Sequence, residues 1–318
     1  MTLCQFDCEM RFWPCEMTCK SWRRENHHEN SRQRFIYAMN NKSNGKSRMK
    51  CLARVGWLLV LILAARTSSA QTAASSTGVK LPASGRGRAL TNSLGMKFVR
   101  VPGTAVFFSV WDTRVQDYQA FTDATSRKWE KPIFAQIQDH PAVGISWMDA
   151  QAFCGWLTEK EQKEQRLKSN ERYRLPTDAE WSVAVGLGME SGTTPEGKSL
   201  QITNQYPWGR KWPPPSGAGN YDASLHVDNF EYTSPVGSFA ANQFGLFDMG
   251  GNVWQWCEDE YSPGDGFRVL RGASWDSYNG WWKAQTPLQE VLLSSSRNIR
   301  EPASLATIIG FRVVLAGR

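Results

Sequence analysis

Thiols and imidazoles are the side chains best suited to redox and transition-metal chemistry, and this chain distributes them unevenly. Of its seven cysteines, four stand close together as Cys4, Cys8, Cys15 and Cys19, in a C-x3-C-x6-C-x3-C pattern. Four sulfurs are enough for zinc, but structural zinc sites use tighter C-x2-C pairs set in a folded module, and no such module surrounds these. Cys51 lies in an apolar leader, so Cys154 and Cys257 alone remain for the folded body, together with His140 and His226. Two cysteines permit at most one internal disulfide. A 2-His-1-carboxylate iron site would have to use both histidines, and no spacing favours it. The chain contains no G-x-S-x-G elbow, P-loop or H-E-x-x-H motif. The adjacent pair Trp281-Trp282 is the remaining chemical candidate, as an aromatic platform for a sugar.

The surroundings of these residues are set by the ends of the chain. The 318 residues carry a net charge of +7, which on its own invites a nucleic-acid or anionic-membrane partner. Residues 1–70 hold 12 Lys and Arg against 5 Asp and Glu, leaving 25 against 25 for residues 71–318. The basic excess therefore belongs to the first 70 residues, and no nucleic-acid partner is expected. Arg48, Lys50 and Arg54 precede an apolar run over 55–65, and Ser68-Ser69-Ala70 supplies small residues before Gln71. This is the pattern of a cleaved export signal at 49–70; a spanning helix needs about 20 apolar residues. The alternative is an uncleaved N-terminal anchor. The expected protein is exported, periplasmic or extracellular, with no stable membrane span after cleavage. Residues 1–48 are an anomalous upstream extension, and Met49 is the natural start. Residues 71–89 are rich in Ala, Ser, Thr and Gly and read as a linker, and residues 90–318 as one domain.

Within that domain, three helices have legible starts. Thr113 to Gln116, Ser146 to Asp149 and Thr177 to Glu180 each resemble a capping box, and Gly186 is placed to end the third helix. After Gly186 the chain is dense in Gly, Pro, Asn, Ser and Trp, with brief strand-like runs at 267–270 and 311–315. Such loops need metal, disulfides or aromatic packing to hold them. Twelve of the 15 tryptophans lie in residues 71–318. Each buries roughly 200 Å² while its N–H bonds a loop carbonyl, so most of them are assigned to packing.

Several segments taken in order carry a resemblance. They are Thr91-Asn-Ser-Leu-Gly-Met-Lys-Phe-Val99, His140-Pro-Ala-Val-Gly-Ile-Ser-Trp147, Arg174-Leu-Pro-Thr-Asp-Ala-Glu-Trp181, Tyr206-Pro-Trp-Gly209, Asn220 and Ser234-Pro-Val-Gly237. Gly245-Leu-Phe-Asp-Met-Gly-Gly-Asn-Val-Trp-Gln-Trp256, Arg268-Val-Leu-Arg-Gly-Ala-Ser-Trp275 and Gly310-Phe-Arg312 complete the set. Together they resemble the formylglycine-generating enzyme family, also called the sulfatase-modifying-factor domain, over nearly all of 90–318. The resemblance implies an irregular α+β fold related to C-type lectins, with little regular secondary structure, rich in loops and Trp.

It also implies structural calcium. One site would use the Asp248 side chain, the Gly251 and Val253 carbonyls and the Gln255 side chain; family members usually have Glu where Gln255 stands. A second would use the Asn220 side chain, the Tyr221 carbonyl, the Asp228 side chain and the Phe230 carbonyl. Oxygen donors on Gly-rich turns suit calcium. The alternative is that Asp248 and Asp228 simply shape turns.

Catalysis is where the chain departs from the pattern. Family enzymes oxidise a substrate cysteine to formylglycine with two copper-binding cysteines just after the Arg-Gly-Gly-Ser-aromatic segment. Those positions fall on Ser277 and Trp282 here, and no cysteine follows Cys257. Neither a hydroxyl nor an indole replaces a thiolate on Cu(I), so copper is not expected. The family often pairs a cysteine at the Cys154 position with one at the position of Val313, so Cys154 and Cys257 are expected as buried free thiols. The resulting expectation is a calcium-stabilised binding protein or pseudoenzyme. Its ligand cleft would be lined by Ser277, Trp281, Trp282, Arg297 and Arg300, with the arginine pair holding an anionic group and a peptide, protein or glycan as ligand. The alternative is an enzyme, either generating formylglycine through an unorthodox site or performing another oxidation on the same scaffold.

Overall fold

The computed structural model describes residues 89–277 and 286–318. Three short strands open the domain, β1 (Leu90–Thr91), β2 (Lys97–Arg100) and β3 (Phe107–Ser109), followed by helices α1 (Val115–Thr125) and α2 (Trp147–Lys163). Next come β4 (Arg172–Arg174), α3 (Asp178–Val185) and α4 (Pro195–Lys198). A long loop region, interrupted by a 3-10 turn at Ala223–Leu225, leads to β5 (Trp254–Glu260) and β6 (Arg268–Arg271). Helix α5 (Leu288–Val291) and strands β7 (Asn298–Arg300), β8 (Ile309–Gly310) and β9 (Val314–Ala316) close the chain. The architecture is α+β, and much of the chain is held outside regular elements.

Two sheets organise it. The first has the order β1-β2-β3-β9-β4, so the last strand is inserted between β3 and β4 and ties the end of the domain to its beginning. The second has the order β7-β6-β5-β8, antiparallel except for the β5–β8 pair. Helices α1 and α2 pack through an aromatic cluster in which Tyr118, Phe121, Phe153 and Phe311 meet at ring-centroid distances of 5.4–6.2 Å. Trp181 and Trp256 are fully buried between the sheets and helices.

Two of the three expected helix starts are present as read. Ser146 caps α2 by accepting the Asp149 N–H, and Thr177 and Glu180 form a reciprocal box at α3, which ends on left-handed Gly186. The first helix begins one residue later than expected. Thr113 is held by long-range backbone bonds, its N–H donating to the Phe311 carbonyl and its carbonyl accepting the Ala142 N–H. Arg114 takes the cap position instead, because the Asp117 carboxylate accepts its backbone N–H and also clamps its guanidinium. The indoles behave as packing groups with a polar handle: Trp129, Trp147, Trp208, Trp256 and Trp275 donate to the carbonyls of Val143, Cys257, Lys211, Ile145 and Thr307. Both Cys154 and Cys257 are buried free thiols. Among the described residues no helix is long and apolar enough to cross a membrane.

Candidate functional site

The segment after β6 turns sharply at residues 274–277. Ser277 makes that turn: its Oγ accepts the Ser274 N–H at 2.6 Å and donates to the Ser274 carbonyl at 3.0 Å. The side chain is buried, and among the described residues no carboxylate or imidazole is bonded to it. Its hydroxyl is thus committed to local structure, and the described residues place no base against it. Ser277 also lines a cavity of about 150 Å³, together with Leu200, Trp254, Tyr261, Val291 and Arg297. The cavity wall is mixed, hydroxyl on one part and apolar or aromatic on the rest. Trp281 and Trp282 lie outside the described residues.

Arg297 reaches this cavity but is not available as an anion receptor. Its guanidinium donates to both oxygens of Asp178, at 3.0 and 2.9 Å, and to both oxygens of Glu190, at 2.8 and 2.5 Å. The carbonyls of Lys198 and Ser295 and the Ser182 hydroxyl accept as well. Arg271 completes the cluster on Asp178, with its second terminal nitrogen on the Ser294 carbonyl. The four charged side chains are between 0% and 2% exposed, and two guanidiniums offset two carboxylates. Burial alone would raise the carboxyl pKa of Asp178, but Arg271 and Arg297 more than offset it and hold the group below its ordinary value. Glu190 is held low in the same way, chiefly by its bonds to Arg297. The expected arginine pair does not form either. Arg300 follows Arg297 by three residues on extended chain, where residues an odd number apart face opposite sides, and it does not line the cavity.

The loops expected to hold calcium pack against each other. The Asn252 N–H donates to the Asn220 carbonyl at 2.7 Å. Gly251, at φ 79°, lies so close that a Cβ there would sit 2.4 Å from that same oxygen. Their donor sets differ sharply in fitness for a cation. Gln255 Oε1 accepts from the Trp181 indole and from Arg312 Nε, both at 2.8 Å, while its Nε2 donates to the Asp248 carbonyl at 2.7 Å. Those three bonds fix the amide orientation and use the oxygen's lone pairs. A guanidinium therefore stands where the metal would need an open oxygen, and the set of Asp248, Gly251, Val253 and Gln255 does not fit calcium. Asn220 is different: its Nδ2 donates to the Tyr232 carbonyl, but its buried Oδ1 has no partner. Asp228 stands close by, its two oxygens accepting the Tyr221 and Phe230 N–H groups. The orphaned amide oxygen and the Asp228 carboxylate are hard donors of the kind calcium prefers, so the donor types of Asn220, Tyr221, Asp228 and Phe230 fit.

The thiols fit no copper. Cys154 and Cys257 are completely buried, and desolvation drives both thiol pKa values up, against formation of the thiolate that would bind the metal.

Sequence reasoning missed the groups that dominate the interior electrostatics. Asp178 lies inside the Arg174-Leu-Pro-Thr-Asp-Ala-Glu-Trp181 segment, where a helix start explains an acid without any partner. Arg312 is buried against Asp112 at 3.3 Å and donates to the carbonyls of Ser109 and Phe247. The available signal was the placement of Arg271 and Arg312 within otherwise apolar strand-like runs, since an arginine so placed must find partners inside.

An α+β domain held by tryptophans, with loops packed through buried amides and a small cavity after β6, is the class of protein these features define. The family described as the Sulfatase-modifying factor enzyme 1-like domain matches residues 67–316, and the chain belongs to it. Among relatives, Inactive C-alpha-formylglycine-generating enzyme 2 of Bos taurus is 35% identical over 139 residues, covering 43% of this chain and 39% of the relative. Formylglycine-generating enzyme of Thermomonospora curvata is 31% identical over 134 residues, covering 39% of this chain and 35% of that protein. The aligned region thus spans little more than a third of each relative's length. Among solved structures, PvdO from Pseudomonas aeruginosa aligns with a TM-score of 0.47 and 24% identity over 66% of this chain and 80% of its own.

Proposed function

We propose that this chain is an exported binding member of the family that has given up formylglycine-generating chemistry. One observation carries the reading: of the two positions that hold the family's cysteines, one is Trp282 and the other is Ser277, whose hydroxyl is closed into its own turn. No step through copper is available to such a pair. The name of the bovine relative, an inactive formylglycine-generating enzyme, agrees with this reading.

The ligand would enter the cavity beside Ser277. Because Asp178 and Glu190 neutralise Arg297, an uncharged peptide or glycan segment matches the wall better than an anion. Trp254 and Tyr261 offer apolar faces, and Ser296 and Asn298 offer hydrogen bonds. Calcium, when bound at the Asn220 and Asp228 loops, would supply a hard cation tying residues 220–230 together. Asn220 Oδ1 would be its buried ligand, and Asp228 would hold the turn while sharing its charge.

The test is co-expression with a peptide carrying Cys-x-Pro-x-Arg, followed by mass spectrometry for the loss expected when a thiol becomes an aldehyde, with the purified protein also assayed after copper loading. No conversion above background is expected. Conversion would overturn the proposal, and glycan and peptide arrays would identify the ligand.

A further inference from the structure

A second cavity, of about 270 Å³, shares no lining residue with the cavity at Ser277. Its walls include Pro207, Trp208, Phe239 and Met249, and one charged residue lines it, Asp248. Asp248 is 8% exposed and sits at φ 53°. Its Oδ2 accepts the Gly237 N–H at 2.8 Å, which leaves most of the acceptor capacity of a carboxylate unused.

The charge around it is incomplete. Arg312, the cation that acts on Asp248, lies against the buried carboxyl of Asp112, and its N–H groups go to Gln255 and to the carbonyls of Ser109, Phe247 and Asp248. Burial pushes the Asp112 carboxyl up to about 8, so at neutral pH Asp248 is the ionised member of the pair; among the described residues no cationic side chain forms an ion pair with it, and a buried anion without a direct counter-ion is costly. Calcium does not suit this deficit, because Gln255 Oε1 is occupied. A cation that brings its own N–H donors, on an apolar stem that can lie along an aromatic wall, suits it well. Trp208 is held in place for that role, stacked on Tyr206 at 4.7 Å with rings 7° from parallel.

We propose that this cavity is a binding site for an organic monocation, an ammonium or guanidinium on an apolar stem, with Asp248 as counter-ion and Trp208 and Phe239 as the apolar wall. The site is separate from the cavity at Ser277, and either can fail without the other.

The experiment titrates the full chain with n-butylammonium and n-butylguanidinium while following the Met249 methyl resonance. n-Butanol serves as the uncharged control, and calcium alone as a separate arm. Both cations should shift the resonance saturably, and n-butanol should bind at least tenfold more weakly. Asp248→Asn should weaken the cations by tenfold or more; an Asn side chain can still accept the Gly237 N–H and tolerates positive φ, so the fold is kept. Ala240→Phe, at an exposed position on the cavity wall, should weaken them without touching the carboxylate. Equal binding of butanol, unchanged affinity in Asp248→Asn, or saturation by calcium with no response to either organic cation would each overturn the proposal.

Discussion

Replacing Arg297 by Met separates a ligand-binding arginine from a structural one. The side chain is 0% exposed and bonded to Asp178 and Glu190, themselves 1% and 2% exposed, so solvent screens the cluster little. Met fills most of the volume but leaves two carboxylates facing Arg271 alone. Breaking a buried ion pair from one side costs about 3–5 kcal/mol. At about 2–4 °C per kcal/mol for domains of this size, the melting temperature should fall by about 6–20 °C. Urea unfolding followed by tryptophan fluorescence measures the difference at neutral pH. The pH dependence has a definite sign: Asp178 and Glu190 are held below their ordinary values in the folded state. Their contribution is therefore complete above the unfolded carboxyl pKa and is lost as pH falls through the depressed folded one. The gap between wild type and Arg297→Met should be full at neutral pH and narrow below about pH 4. A loss under about 1 kcal/mol at neutral pH, the range of solvated pairs, would refute the buried cluster and return Arg297 to the role of anion receptor.

Gln255→Leu should cost about 3 kcal/mol or more, since it strips the acceptor from the Trp181 indole and Arg312 at once; chemical denaturation measures it. Calcium should raise the melting temperature of the wild type and chelator should reverse the gain; Asp228→Asn should diminish the response and Asp248→Asn should leave it intact, which a scan of the three proteins would check. Thr177→Ala should cost about 1 kcal/mol by removing the α3 cap, measured by the same unfolding assay. Cys154 and Cys257, both buried with raised thiol pKa values, should resist iodoacetamide in the native protein and react after denaturation, as peptide mapping would show.

Much of the framework was legible in the chain itself. Ser146 and Thr177 announce their helices because capping depends on bonds to residues three positions away. Thr113 misleads for the opposite reason: its N–H is taken by Phe311, almost two hundred positions along the chain, and a distant acceptor overrides a local motif. The tryptophans likewise declare a packed, loop-rich body, while the acceptors that Trp147, Trp181 and Trp256 reach depend on the assembled fold.

The sequence by itself determined the family, the absence of a thiol at Ser277 and Trp282, and the confinement of excess positive charge to the first 70 residues, because each depends only on which residue occupies which position. Only the tertiary structure decided what the remaining polar groups do. Arg297 meets Asp178 across 119 positions, and Gln255 meets Arg312 across 57. Those encounters turn an expected ligand receptor into a neutralised structural cation and an expected calcium ligand into an occupied acceptor. Electrostatic roles follow from distance and burial, and long-range folding sets both.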